Sequence, residues 1–239
     1  MTTSEEAPND ALDEVPFDGR EMLMVHNMFR REFGLMPRVV RGVAAGDRAR
    51  AQLVADHIAN VSAVLHHHHH SEDLHNWPLL RERGGAEVAA VIALMEAQHE
   101  ELDKAATDVD AATEAWRATA DVEARDALAD ALDTLLPLLR EHMTTEETTA
   151  VPLMERHITA AEWNRVVQTA AAGADLDSEG ISLSFGMLMY EGDPEIVDAA
   201  IANMPPEARP LIRKLAADAF AAQSELIHGT ATPPRSTQL

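Results

Sequence analysis

Apolar residues recur along this chain at steps of three and four. Met22, Phe29 and Phe33 form one series, Leu53, Ile58, Val61 and Leu65 a second, Val88, Ile92, Met95 and Leu102 a third, and Leu128, Leu132, Leu135 and Leu139 a fourth. That spacing lays an apolar stripe on one face of a helix, whereas a half-buried strand would alternate every second residue. The pattern predicts a first helix from near Asp18 to about Met36, ahead of Pro37, with a tail reaching the Gly42–Gly46 turn. A second opens with Asp47 as N-cap and ends around residues 81–85, where Gly84 and Gly85 fall. The third covers roughly 86–119, and the fourth runs from near Asp121 to near His157, kinked at Pro137. Four long helices with short connections make an all-α fold, an antiparallel up-and-down four-helix bundle.

Beyond residue 158 the pattern shortens into smaller helices punctuated by Gly and Pro. The expected organisation is an acidic leader over 1–17, too poor in apolar residues to order itself, the bundle over 18–157, an appended helical cap over 158–229 and a loose tail over 230–239.

Composition narrows the chemistry. The 239 residues carry 41 acids against 19 Lys and Arg, a formal charge of −22, which repels nucleic-acid phosphate and anionic membrane surfaces. No stretch has the apolar length of a membrane span and the N-terminus has no signal-peptide character, so a cytoplasmic location is expected. With no cysteine, disulfides, thiolate metal sites and thiol nucleophiles are excluded. Any metal must rely on His, carboxylate or phenolate ligands.

The candidates for that role repeat. His68 is followed by Glu72, Asp73 and Pro78, and His142 by Glu146, Glu147 and Pro152, so the motif HxxxE[DE]xxxxP occurs twice, 74 residues apart. A lone histidine precedes each copy: His26 lies 42 residues before His68, and His99 lies 43 before His142. Positions i and i+4 share a helix face, so each copy offers one imidazole nitrogen and one carboxylate to the same place. Counting out and back along the predicted helices at about 1.5 Å per residue brings all six to one level of the bundle, within about a turn. His68 continues the stripe of Ile58, Val61 and Leu65, and His142 that of Leu135 and Leu139, so the six side chains point inward. An ordinary core or surface role competes for any single histidine; a duplicated register of six does not fit that explanation. Only one or two of the five consecutive histidines 66–70 can face inward, because five residues turn through about 400° of helix. Four imidazoles and two carboxylates without sulfur suit two first-row metal ions, iron or manganese for redox chemistry, with zinc an alternative. Such a pair would leave about two coordination positions open to O2, peroxide or NO.

His26, His68 with Glu72, His99, and His142 with Glu146 resemble the hemerythrin-like, or HHE cation-binding, family over roughly residues 20–157, with an actinobacterial flavour in the EDxxxWP segment. The resemblance implies a four-helix bundle and a non-heme di-iron centre with an oxo or hydroxo bridge. The oxygen-carrying hemerythrins place a fifth histidine four residues after the third-helix ligand; here that position is Asp103, and the last helix has HxxxE rather than HxxxxD. An open, reactive site is therefore expected, a catalase- or peroxidase-like oxidoreductase acting on peroxide, O2 or NO. Reversible O2 or NO binding, sensing, iron storage and a zinc-stabilised structural role remain alternatives, and a homodimer remains open.

Further candidates surround the six. Asp73, Glu147, Asp103, His67 and His69 could hydrogen-bond ligand imidazoles. Tyr190, the only tyrosine, could supply a phenolate from the appended region, against a core or interface role. A ferritin-like scheme built on Glu96–His99 and Glu225–His228 competes but leaves both HxxxE copies unused.

Overall fold

The computed structural model describes residues 15–173 and 178–239; most of the expected leader, residues 1–14, lies outside that range. The protein is a helical bundle. Helix α1 is Arg20–Arg41, α2 Arg48–Ser71, α3 Trp77–Thr119 and α4 Val122–Thr149. Asp47 caps α2 as expected, and Asp121, near the expected start of α4, caps that helix, their carboxylates accepting from the N–H groups of Arg50 and Ala124. The chain reverses inside α3 at Gly85, whose φ of 58° and ψ of −138° suit a residue without Cβ. Side-chain pairs fix the antiparallel register. Across α2 and α3, Asp56 meets Arg117, Ser62 meets Asp110 and His69 meets His99. Across α1 and α4, Arg30 meets Glu147 while Arg41 meets Asp130.

Two prolines depart from the predicted pattern. Helix α1 continues through Pro37 to Arg41, because Met36, Pro37 and Val40 are all buried and their packing outweighs one lost backbone hydrogen bond. Helix α4 also continues through Pro137; its interruption falls at Ala150, before a short α5, Val151–His157. The same place in the other motif copy holds a π-helical segment, Glu72–Asn76. Pro78 and Pro152 account for both. Each lacks an N–H to reach the carbonyl four residues back, at Leu74 and Thr148, and its ring crowds that carbonyl, so the helix widens or breaks just before it.

The core around the bundle divides into two apolar clusters. One holds Phe29, Leu65, Leu102, Leu139 and Met143; the other holds Met22, Trp77, Met95, Ala150 and Met154. Along α1 and α3, His26 lies between Met22 and Phe29, and His99 between Met95 and Leu102. On the other two, His68 and Glu72 fall between Leu65 and Trp77, and Glu146 between Met143 and Ala150. The polar layer is thus sealed above and below by hydrocarbon.

The remaining helices are α6 (Ala160–Gly173), α7 (Ser178–Met189), α8 (Pro194–Ala202) and α9 (Arg209–His228). Helix α7 packs on α1 and α9 on α2. The two cross closely at Gly186, where a Cβ would overlap the carbonyl oxygen of Ala216. Arg31, fully buried on α1, donates to Glu191 (2.7 Å) and to the carbonyl of Met187 (2.8 Å). Residues 230–239, expected to be loose, are held in place: Ser236 donates through its backbone N–H and its hydroxyl to Glu191. Among the described residues, no helix is long and apolar enough to cross a membrane.

Candidate metal centre

All six predicted ligands converge. Glu72 spans two of the histidines, with Oε1 3.4 Å from His68 Nε2 and Oε2 3.5 Å from His99 Nε2. Glu146 spans the other two through Oε2, 3.2 Å from His26 Nε2 and 3.4 Å from His142 Nε2. Each carboxylate therefore reaches one histidine from α1 or α2 and one from α3 or α4. The imidazoles pack edge to face, His26 with His68 at 5.5 Å between centroids and His99 with His142 at 4.8 Å.

The electrostatics are those of a site built for cations. The four inward Nε2 atoms and all four oxygens of Glu72 and Glu146 are buried with no hydrogen-bond partner. Orphaned groups of this kind are costly in an apolar core and are rarely left so. Burial pushes His68 down to about 3 and His142 down to about 4, so both imidazoles are neutral with lone pairs free. Burial and the neighbouring charge of Glu146 push Glu72 well above the carboxylate range. Burial alone would raise Glu146 too, but the His26 imidazole against it, with His142 and His68 beyond, holds it below that range. Burial opposes the imidazolium of His26, and Glu146 and Glu147 outweigh it and raise that group. A cation at this level would displace the protons of Glu72 and His26 and meet the lone pairs of His68 and His142. Metal–ligand bonds of about 2.1 Å set neighbouring ligand atoms roughly 3.0–3.4 Å apart, close to the separations here. The residues fit a metal pair.

Outer contacts fix the rings. The Nδ1 of His26 lies 2.8 Å from Glu147, whose carboxylate also takes two hydrogen bonds from Arg30 (2.7 and 2.9 Å). The Nδ1 of His99 lies 2.8 Å from Asp73. Both acids hold the lone histidine of the opposite motif copy, as the sequence suggested. Gln98, opposite His142 Nδ1 at 3.3 Å, was not foreseen, and a glutamine beside a ligand carries no spacing signal. Arg30 had one: it stands four residues from His26 and so shares its face.

Other candidates are redistributed. His67 is exposed, and Asp103 lies at the surface against His66 (3.1 Å). His69 is buried, stacked on His99 at 4.4 Å and edge-on to His142 at 4.9 Å, and one of its nitrogens lies within 4.8 Å of theirs. Burial, with the neighbouring imidazoles, pushes it well below the ordinary histidine range, so it is a neutral donor. Two successive histidines can both face in because the buried arc of a bundle helix is wider than 100°: His68 turns toward α1 and His69 toward α3. Tyr190 does not join the centre. Its hydroxyl donates to the carbonyl of Pro233 (2.9 Å) and its ring packs on Phe220 and Arg31, so its oxygen is engaged elsewhere. The ferritin-like scheme is not assembled either. Glu96 pairs with Arg81 at the surface, Glu225 is exposed, and His228 lies against Glu32.

The helical bundle and its buried layer of imidazoles and carboxylates define a metal-binding four-helix protein. The family model of the Hemerythrin HHE cation binding domain matches residues 20–154, more than half of the chain, and the protein belongs to that family. No curated protein and no solved structure matches it.

Proposed function

We propose that His26, His68, His99, His142, Glu72 and Glu146 hold two iron ions, and that the protein decomposes peroxide or reacts with O2 or NO. The observation that carries this is the set of eight unpartnered donor atoms, with each carboxylate placed between one histidine of either pair. When bound, such a metal pair supplies open Lewis-acid positions and two exchangeable electrons.

The protein's own groups do the rest. Leu65, Met95, Leu139 and Trp77 keep water from the layer above and below. Asp73, Glu147 and Gln98 hold the outer nitrogens of His99, His26 and His142, leaving each Nε2 turned inward. A cavity of about 280 Å³ between α2 and α3, lined by His66, His69, His70, Asp73, His99 and Asp103, leads from the surface to the His99 side. Its acids and the overall charge of −22 disfavour anions, which selects neutral small molecules such as hydrogen peroxide and NO.

His69 supports a second reading. A fifth imidazole beside His99 and His142 would fill one of the open positions and favour reversible O2 binding over turnover.

Metal analysis and an optical spectrum of untagged protein, before and after peroxide, test both readings. Two irons per chain and evolution of one O2 for every two peroxides consumed support the enzyme. An O2-dependent spectrum that reverses on degassing, without turnover, supports the binder. One metal, or colourless zinc, overturns the di-iron assignment.

A further inference from the structure

A second group of metal-ligating side chains lies outside the bundle centre. Glu32 on α1 and His57 on α2 are buried, the side chain of His228 at the end of α9 is 5% exposed, and one ligand atom from each lies within 4.8 Å of the others. His57 Nε2 is 3.0 Å and His228 Nε2 3.4 Å from the same oxygen, Glu32 Oε2. These separations match those in the bundle centre and the edges of a coordination shell with bonds of about 2.1 Å. The other oxygen, Oε1, accepts from Arg31 Nε at 2.8 Å, which fixes the carboxylate and leaves Oε2 for the histidines.

Two further observations point to a ligand here. Ser224 Oγ and His228 Nδ1, four residues apart on one face of α9, are buried without hydrogen-bond partners. Fixed charges also leave room for a cation: the single guanidinium of Arg31 is shared between the carboxylates of Glu32 and Glu191. Gln223 faces His57 Nδ1 at 3.5 Å, as an outer partner holding a ligand ring would.

We propose that Glu32, His57 and His228 form a mononuclear site for a divalent transition ion of the zinc class, which clasps α9 to the bundle. Two histidines and one carboxylate are a ligand set for such ions. Because Glu32 and His57 lie within the matched family region and His228 lies outside it, the site joins the bundle to its C-terminal extension. Gly229, with φ of 73°, ends α9 immediately after His228 and so fixes where that ligand stands.

Cobalt(II) titration of chelator-stripped, full-length protein tests this. Wild type should retain one more cobalt per chain after desalting than either His57→Gln or His228→Gln. That last equivalent should bind at least tenfold more weakly in the variants, and it should slow tryptic cleavage in α9 at Arg213 and Lys214 in wild type only. Equal cobalt in wild type and in both variants, with unchanged helical circular dichroism, overturns the site. His57→Gln keeps the test decisive if His228→Gln loosens α9. A bundle centre that takes one metal or none shifts the total in all three proteins alike and leaves the difference between them intact.

Discussion

The two halves of the bundle centre are copies in sequence and unequal in surroundings. On one side Glu147 holds His26 and is itself gripped by Arg30, with only 18% of its side chain exposed. On the other, Asp73 holds His99 with no arginine behind it, 43% exposed, at the edge of the cavity that His69 lines. The threonines around Glu146 all bond back to carbonyls of their own helix, Thr144 to Arg140, Thr145 to Glu141, Thr148 to Thr144 and Thr149 to Thr145. The segment after Glu72 instead widens into a π turn. One half is braced and the other opens to solvent, so a duplicated motif yields a centre with a closed side and an open side.

The largest effects come from removing what the halves share. Glu146→Ala takes away the carboxylate between His26 and His142 and should reduce iron from two per chain to one or none, read by elemental analysis. Retention of both ions would show that the two carboxylates are not equivalent bridges. The outer acids discriminate next. Loss of an outer partner weakens metal binding by about 10–100-fold, and Glu147→Gln should lie at the upper end of that range and Asp73→Asn at the lower, by chelator competition. Equal losses would erase the contrast between braced and open sides. His69→Gln separates the two functional readings on the open side. Iron content should hold, while peroxide turnover rises several-fold if the imidazole occupies a position and stays unchanged if it does not.

Much of this was legible in the sequence because its period carried it. The apolar steps of three and four marked the four bundle helices, and the repeat of HxxxE[DE]xxxxP, with the lone histidine ahead of each copy, located all six side chains that converge. What escaped depends on contacts that period does not encode. The stripe through Ile58, Val61 and Leu65 selected His68 but gave no reason to prefer His69 over His67, because that depends on where α3 lies. His57 stands eleven residues before His68, nearly the same face three turns away, yet its partner His228 comes from α9, and only tertiary packing pairs them. Pro37 and Pro137 were expected to stop or bend helices; burial around Pro37 outweighed the local rule, whereas at Pro78 and Pro152 the rule held.

The smallest effect concerns how the ends of the two halves are tied. Arg83, beyond the first motif copy, donates to the carbonyl of His157 (2.6 Å) and to Glu162 (2.8 Å), beyond the second. Glu162 also closes a capping box with Thr159, accepting from its N–H at 3.0 Å while Thr159 Oγ1 accepts from the Glu162 N–H at 3.3 Å. The Arg83 guanidinium, with the Thr159 hydrogen bonds, holds the Glu162 carboxyl down to about 2 against an ordinary value of 4.5. Because the folded value lies below the unfolded one, the stabilisation is complete above about 4.5 and is lost as pH falls toward about 2. Glu162→Gln should therefore cost about 1 kcal/mol near neutral pH, the scale of a helix cap. The gap to wild type should close as the buffer is taken from pH 5 to 2.5, followed by urea unfolding. A gap that stays constant with pH would mean that the tie acts through packing alone and that the ends of the two halves are not joined by charge.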